Sequence, residues 1–295
     1  MEPYKNFAGL EGELAGFERS AVVILPISYD YTSTWIKGAD RGPFSFLEAS
    51  GALEYYDIET DFEVYKKGIH TAEPLVIDTP PEDMVQKVEK RTRDLIDAGK
   101  FIVGVGGEHS VSIGLIKAHA LRFGDISVLQ LDAHSDLRDE YEGSRYNHAC
   151  VMARVLEICP VVQVGIRSMD ADEKSRVDAG NIFFARDIAG RGDNIAGSTY
   201  PGWVENVIKR LNDNVFVTID LDVFDPSIMP ATGTPEPGGL SWYDVTGLLR
   251  AVSEKKKVIG FDCMELCPDQ AMKYADFTAA KLVYKFLSYI FKNMA

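Results

Sequence analysis

The stretch VLQLDAHSD, Val128 to Asp136, is a short apolar run that opens into Asp132, His134 and Asp136 at every second position. In an extended chain alternate residues point the same way, so these three side chains converge where a buried strand gives way to a loop. Three charged or metal-binding groups gathered at a strand end have the geometry of a site.

The pattern continues on both sides of this stretch. SAVVILPIS (20–28), FIVGVGG (101–107), VVQVGIR (161–167), NIFFARD (181–187), NVFVTIDLD (214–222) and KVIGFDCMEL (257–266) are short runs with strand character. PPEDMVQKVEKRTRDLIDAGK (80–100), SVSIGLIKAHALRF (110–123) and WVENVIKRLND (203–213) have helical spacing, the first with proline and acids at its start. Strands alternating with helices predict an α/β fold: a mostly parallel sheet covered on both faces. No linker, repeat or low-complexity segment interrupts the 295 residues, so one domain over 1–295 is expected. The turn-rich stretch 225–239 and the loop 137–147 each follow a strand, where open α/β sheets bind ligands.

Composition narrows the function. With 46% hydrophobic and 26% charged residues the chain is an ordinary globular protein. The formal net charge of −14 argues against nucleic acid or an anionic membrane as partner and suits a small cationic ligand. The first twenty residues lack a basic n-region and an apolar h-region, and no apolar run approaches a membrane span, so a cytoplasmic location is expected. Cys150, Cys159, Cys263 and Cys267 form no CxxC pair and are expected to be buried free thiols.

A second carboxylate pair, Asp220 and Asp222, closes another apolar run in FVTIDLDVFDP. If the strand ends lie side by side, His109, Asp132, His134, Asp136, Asp220 and Asp222 bring four carboxylates and two imidazoles together. Four ionised carboxylates in a partly buried site repel strongly, and two divalent cations cancel that charge. Six protein ligands serve two metals only where some carboxylates bridge. The oxygen-rich set without thiolate favours Mn²⁺ over a structural Zn²⁺ site. A single such aspartate is more often a turn residue or helix cap; two alternating sets at strand ends are not.

VGGEHSVSIG, VLQLDAHSD and TIDLDVFDPSIMPATGTPEPGG resemble, in order, the three motifs of the ureohydrolases, the family of arginase and agmatinase; GADRGP near the start resembles its early loop. The resemblance implies an arginase/deacetylase-like three-layer α/β/α sandwich and two Mn²⁺ per chain, whose bridging hydroxide attacks a guanidinium carbon. It further implies that Asp132 and Asp220 bridge the ions, that His109 and Asp136 complete one, and that His134 and Asp222 complete the other. Asp136 would also accept the hydroxide's proton, and His148 in RYNHAC matches the family's proton-shuttling histidine. Glu265 in GFDCMELCP matches the glutamate that accepts two guanidinium N–H bonds; its rival Asp262 cannot share its face by strand alternation. A homo-oligomer, trimer or hexamer, is implied as well.

Competing readings are weaker. GVGGEH departs from GxGxxG at its sixth position, which is His109, and no GxSxG turn exists for a serine nucleophile. A two-metal phosphoesterase would want basic groups for phosphate beyond Arg138 and Arg145. A noncatalytic relative would show a decayed site, and every ligand position is intact. Within the family, the acidic segment LRDEYEGSRYNH (137–148) resembles agmatinases more than the polar loop of arginases. The expected substrate is therefore agmatine, cleaved to putrescine and urea; arginine, guanidinobutyrate and aminopropylagmatine are the alternatives.

Overall fold

A computed structural model describes residues 5–189 and 201–294. Among the described residues nine strands form one parallel sheet: β1 (Val22–Ser28), β2 (Ile69–Thr71), β3 (Leu75–Val76), β4 (Phe101–Val105), β5 (Ile126–Leu131), β6 (Val161–Ile166), β7 (Ile182–Phe184), β8 (Asn214–Asp220) and β9 (Lys257–Met264). Eight of them lie in the order β2-β1-β4-β9-β8-β5-β6-β7, and β3 pairs with the end of β1.

The helices are α1 (Gly42–Ser50), α2 (Pro81–Asp97), α3 (Ser112–Phe123), α4 (Val151–Val155), α5 (Ala185–Ile188), α6 (Gly202–Arg210), α7 (Trp242–Lys255) and α8 (Lys273–Asn293). Strand alternation splits the core between the two faces. In β1, Val22 and Ile24 join the cluster containing Phe46 of α1, Val207 of α6, Leu248 of α7 and Phe286 of α8. Val23, Leu25 and Ile27 join the other, with Val88 of α2, Leu115 of α3 and Val151 of α4. This is the expected three-layer α/β/α sandwich.

Helix α2 forms where the sequence places its apolar residues at helical spacing. Met84, Val85, Val88, Thr92, Leu95 and Ile96 are buried, while Pro81, Glu82 and Asp83 occupy the first turn. It packs closely on α3 because residue 114 is glycine: a Cβ there would lie 2.7 Å from the Val85 carbonyl oxygen.

The chain leaves β4 through α3 and re-enters the sheet at β5, skipping two positions that β9 and β8 fill later. The loops after β4 and β5 lead to α3 and α4 on one face of the sheet, whereas those after β8 and β9 lead to α7 and α8 on the other, so the connections of the neighbours β4 and β9, and of β8 and β5, diverge and open the crevice in which α/β sheets bind ligands.

Candidate metal centre and active site

All the proposed ligands meet in this crevice. The turn after β4 is fixed by Gly107, whose N–H donates to the Ile27 carbonyl at 2.9 Å while its own carbonyl accepts from Glu265 N at 2.8 Å. The backbones approach so closely that a Cβ on Gly107 would sit 1.8 Å from the Tyr29 oxygen. This turn delivers His109, and His109 N in turn donates to Glu265 Oε1 at 2.7 Å.

His109 Nδ1 lies 3.1 Å from Asp132 Oδ2, 3.1 Å from Asp136 Oδ2 and 3.5 Å from Asp220 Oδ2. His134 Nδ1 lies 3.7 Å from Asp132 Oδ1 and 2.9 Å from Asp222 Oδ2. Two groups of potential ligand atoms result, His109–Asp132–Asp220 and Asp132–His134–Asp222, each with its atoms within 4.8 Å of one another. They share Asp132, which turns one oxygen to each histidine.

Strand alternation alone does not produce this grouping. Strand β5 ends at Leu131, and Asp136 is turned inward by a left-handed backbone, φ 53°. Strand β8 ends at Asp220, whose Oδ1 accepts from Asp222 N at 2.8 Å and starts the short turn that carries Asp222. Asp222 Oδ1 then accepts from Ala133 N at 2.9 Å, tying the two motifs together.

The site fits divalent cations. Among the described residues His109 Nδ1 has no hydrogen-bond partner, buried as it is and with three carboxylate oxygens around it. The ring's Nε2 lies 2.9 Å from Thr218 Oγ1, which donates to Asp262 Oδ1 at 2.7 Å. A hydroxyl whose proton is committed to a carboxylate must accept from Nε2–H, so the Nδ1 lone pair points into the acidic cluster, as in metal-bound histidines. Asp262 thus stands behind His109 and outside the cleft, as its strand parity predicts.

Crowding these acids in a buried cleft moves their pKa values away from the ordinary range. Burial, with repulsion from Asp136 and Asp222, pushes Asp132 up to about 7. Burial and the neighbouring Asp222 and Asp132 hold Asp220 well above the usual carboxylate range. Glu265 is raised by burial and by Glu108. For Asp222 burial is outweighed by His134, which holds it down at about 2; His134 itself, despite burial, rises to about 10 beside Asp222. Burial likewise opposes charge on His109, yet Asp132 and Asp136 raise it well above its ordinary value.

A cleft of about 270 Å³ opens over these groups, lined among others by Trp35, Tyr141, His148 and Glu265. Asp139, one of the acids of the 137–148 segment, is engaged by arginines rather than left facing the cleft alone: Arg154 Nη2 is 2.6 Å from its Oδ1, and Arg145 and Arg176 also contact it. The acidic loop presents Arg138 and Tyr141 to the cleft.

Sequence reasoning missed two buried acids that brace the site. Glu108 accepts from Thr32 and Ser110, and Glu173 accepts from Ser135 Oγ and Leu137 N at 2.8 Å each. Glu108 carried a weak signal in its place beside His109, and Glu173 carried one as the N3 residue of the capping box that Asp170 opens.

The model of the arginase family matches residues 20–288. The chain belongs to the arginase family. It is 39% identical over 292 residues to the N(1)-aminopropylagmatine ureohydrolase of Synechocystis, covering 95% of this chain and 92% of that one. It is 32% identical over 284 residues to the agmatinase of Pyrococcus horikoshii, covering 95% of each. The crystal structure of the agmatine ureohydrolase of Thermoplasma volcanium superposes with a TM-score of 0.83 at 29% identity, over 95% of this chain and 92% of that one. This arginase-family protein is an agmatinase-like ureohydrolase. The family's binuclear metal centre corresponds here to the two ligand groups that share Asp132. No helix among the described residues is long and apolar enough to cross a membrane.

Proposed function

We propose that the protein hydrolyses N(1)-aminopropylagmatine, releasing urea and leaving spermidine: water adds at the guanidinium carbon and the bond to the chain nitrogen breaks. The observation that carries the chemistry is the pair of ligand groups joined by Asp132 beside Glu265, at the base of one cleft. The choice of tail is supported by the higher identity to aminopropylagmatine ureohydrolases, 39% against 32% for an agmatinase. The charge argument for agmatine weakens because Asp139 is neutralised by arginines.

In this reading His109, Asp132, His134, Asp136, Asp220 and Asp222 would hold two Mn²⁺. The ions supply Lewis acidity and a water of lowered pKa. Glu265 binds the guanidinium: Oε1 spends one lone pair on His109 N and retains another, while Oε2 faces Gly233, whose lack of a side chain leaves room for a planar group. Asp136 Oδ2 accepts the nucleophile's proton. His148, on the cleft wall, returns a proton to the leaving nitrogen. The same reading takes residues 1–295 as one ureohydrolase domain, assembled as a trimer or hexamer in the cytoplasm.

The test is urea release by Mn²⁺-loaded protein from aminopropylagmatine, agmatine, arginine and guanidinobutyrate, compared by kcat/KM. The reading requires the aminopropyl compound to lead. Agmatine leading would restore the shorter tail, the reading that the agmatinase-like relatives favour. No urea from any of the four would sink the whole assignment.

A further inference from the structure

Glu108 is fully buried, and four donors converge on its two oxygens. Oε1 accepts from Thr32 Oγ1 at 2.6 Å and from Ser110 Oγ at 2.6 Å; Oε2 accepts from Thr32 N at 2.5 Å and from Ser33 N at 3.0 Å. The carboxylate therefore clamps the loop carrying Thr32 to the turn that delivers His109. Thr32 in turn meets His148 twice. His148 N donates to Thr32 Oγ1 at 3.0 Å, and His148 Nδ1 lies 3.2 Å from the same oxygen.

A threonine hydroxyl has one proton, and a carboxylate can only accept. With that proton committed to Glu108, Thr32 Oγ1 can serve His148 only as an acceptor. The imidazole must then carry hydrogen on Nδ1, which leaves Nε2 as the bare nitrogen of the neutral ring lining the cleft. The opposite tautomer would set two lone pairs against each other at 3.2 Å.

We propose that Glu108 and Thr32 are positioning residues that fix the tautomer and orientation of His148, so that its Nε2 takes up a proton and passes it to the leaving amine. This rests on the shuttle role assigned to His148 above. Neither residue touches the substrate; both act through the imidazole. The relay spans Thr32, Glu108 and His148, which are far apart in the chain and meet only because the loop after β1 folds over the turn after β4.

Thr32→Val separates this role from loop anchoring, because it keeps the shape of the side chain and the Thr32 N–H bond to Glu108 while deleting Oγ1. Thr32→Ser restores the hydroxyl. Urea release is measured for wild type, Thr32→Val, Thr32→Ser, His148→Asn and the Thr32→Val/His148→Asn double variant, each with Mn²⁺ content checked by elemental analysis. Thr32→Val should lower kcat about tenfold or more, within the range of general acid–base effects, with KM changed less than about twofold. Thr32→Ser should stay near wild type. In the His148→Asn background Thr32→Val should cause no further loss, since the group it acts through is gone.

A second readout does not depend on turnover. In ¹⁵N-histidine NMR of the full chain loaded with diamagnetic Mg²⁺, the resonance removed by His148→Asn should show protonated Nδ1 and bare Nε2, and Thr32→Val should shift it toward the other tautomer. An Nε2–H tautomer in wild type overturns the relay even if catalysis is normal. A Thr32→Val loss of the same size with or without His148 overturns it as well, by assigning Thr32 to the loop alone. An unchanged kcat in His148→Asn removes the shuttle role and the relay together, while leaving the ureohydrolase reading intact.

Discussion

Asp136 and Glu265 share a left-handed backbone, φ 53° and 66°, and approach the same histidine from two sides. Asp136 Oδ2 lies 3.1 Å from His109 Nδ1, and Glu265 Oε1 accepts from His109 N at 2.7 Å. Each is a non-glycine residue held where side chains crowd the backbone, at a cost of about 1–3 kcal/mol. At both strand ends the chain turns abruptly to bring a carboxylate inward.

That conformation inverts an ordinary stability ranking. In most positions alanine is more stable than glycine by roughly 0.5–1 kcal/mol. At 136 and at 265 the glycine variant should be the more stable of the pair by about 1 kcal/mol, because only the alanine retains the left-handed penalty. Urea denaturation of Asp136→Gly against Asp136→Ala, and of the same pair at 265, reads this directly. Alanine at or above glycine would mean that the backbone relaxes.

Sharing of Asp132 predicts unequal effects on metal content. Wild type should take up close to two Mn²⁺. Asp222→Ala should keep about one, held by His109, Asp132 and Asp220, whereas Asp132→Ala should lose both. Loading should also raise the melting temperature, since an ion at a hundred times its Kd adds about 2.7 kcal/mol. Two ions retained by Asp132→Ala would refute the shared ligand.

Glu265 and Asp262 should separate kinetically. Glu265→Gln keeps an acceptor for His109 N and removes the charge that holds a guanidinium, so kcat/KM should fall by about a hundredfold with metal content unchanged. Asp262→Asn acts through Thr218 on the back of His109 and should instead weaken Mn²⁺ binding by about 10–100-fold. A metal titration beside each substrate curve distinguishes them.

His119 gives the fold a pH dependence away from the site. It is fully buried; its Nδ1 donates to the Leu115 carbonyl at 2.7 Å, and Nε2 has no partner among the described residues, so burial pushes it down from 6.5 to about 4. Below pH 6.5 the unfolded chain binds a proton that the folded chain refuses until pH 4. The contribution is therefore complete above 6.5 and declines through that window, by about 3 kcal/mol in all. His119→Phe should flatten the corresponding part of the stability profile. An unchanged slope would place the proton uptake elsewhere.

Much of this protein was legible in its sequence because short continuous apolar runs alternate with period-3.6 segments, as in β1 and α2. The ligands were legible because charge at the end of an apolar run is expensive unless it serves a purpose. The turns were not: Asp136 and Asp222 reach the site through local conformations that strand alternation does not encode. Glu108 was hidden because its partner Thr32 lies 76 positions away, and Glu173 because it meets Ser135 across 38. Sheet order was hidden too, since nothing near β4 or β5 says that two later strands will separate them.

That separation sets an order of assembly. A chain synthesised only through β7 holds β4 and β5, yet the two positions between them are empty, and each strand presents an unpaired edge to the other. Asp220 and Asp222 arrive with β8 and Glu265 with β9, so a growing chain carries His109, Asp132 and His134 for most of its length with no pocket to place them in. The centre of the sheet is the last part of it to be laid down, and the two ligand groups are complete only when β8 and the turn after it have slotted into the gap. In this architecture a chain that stops before β8 lacks Asp220 and Asp222, and one that stops before the end of β9 lacks Glu265.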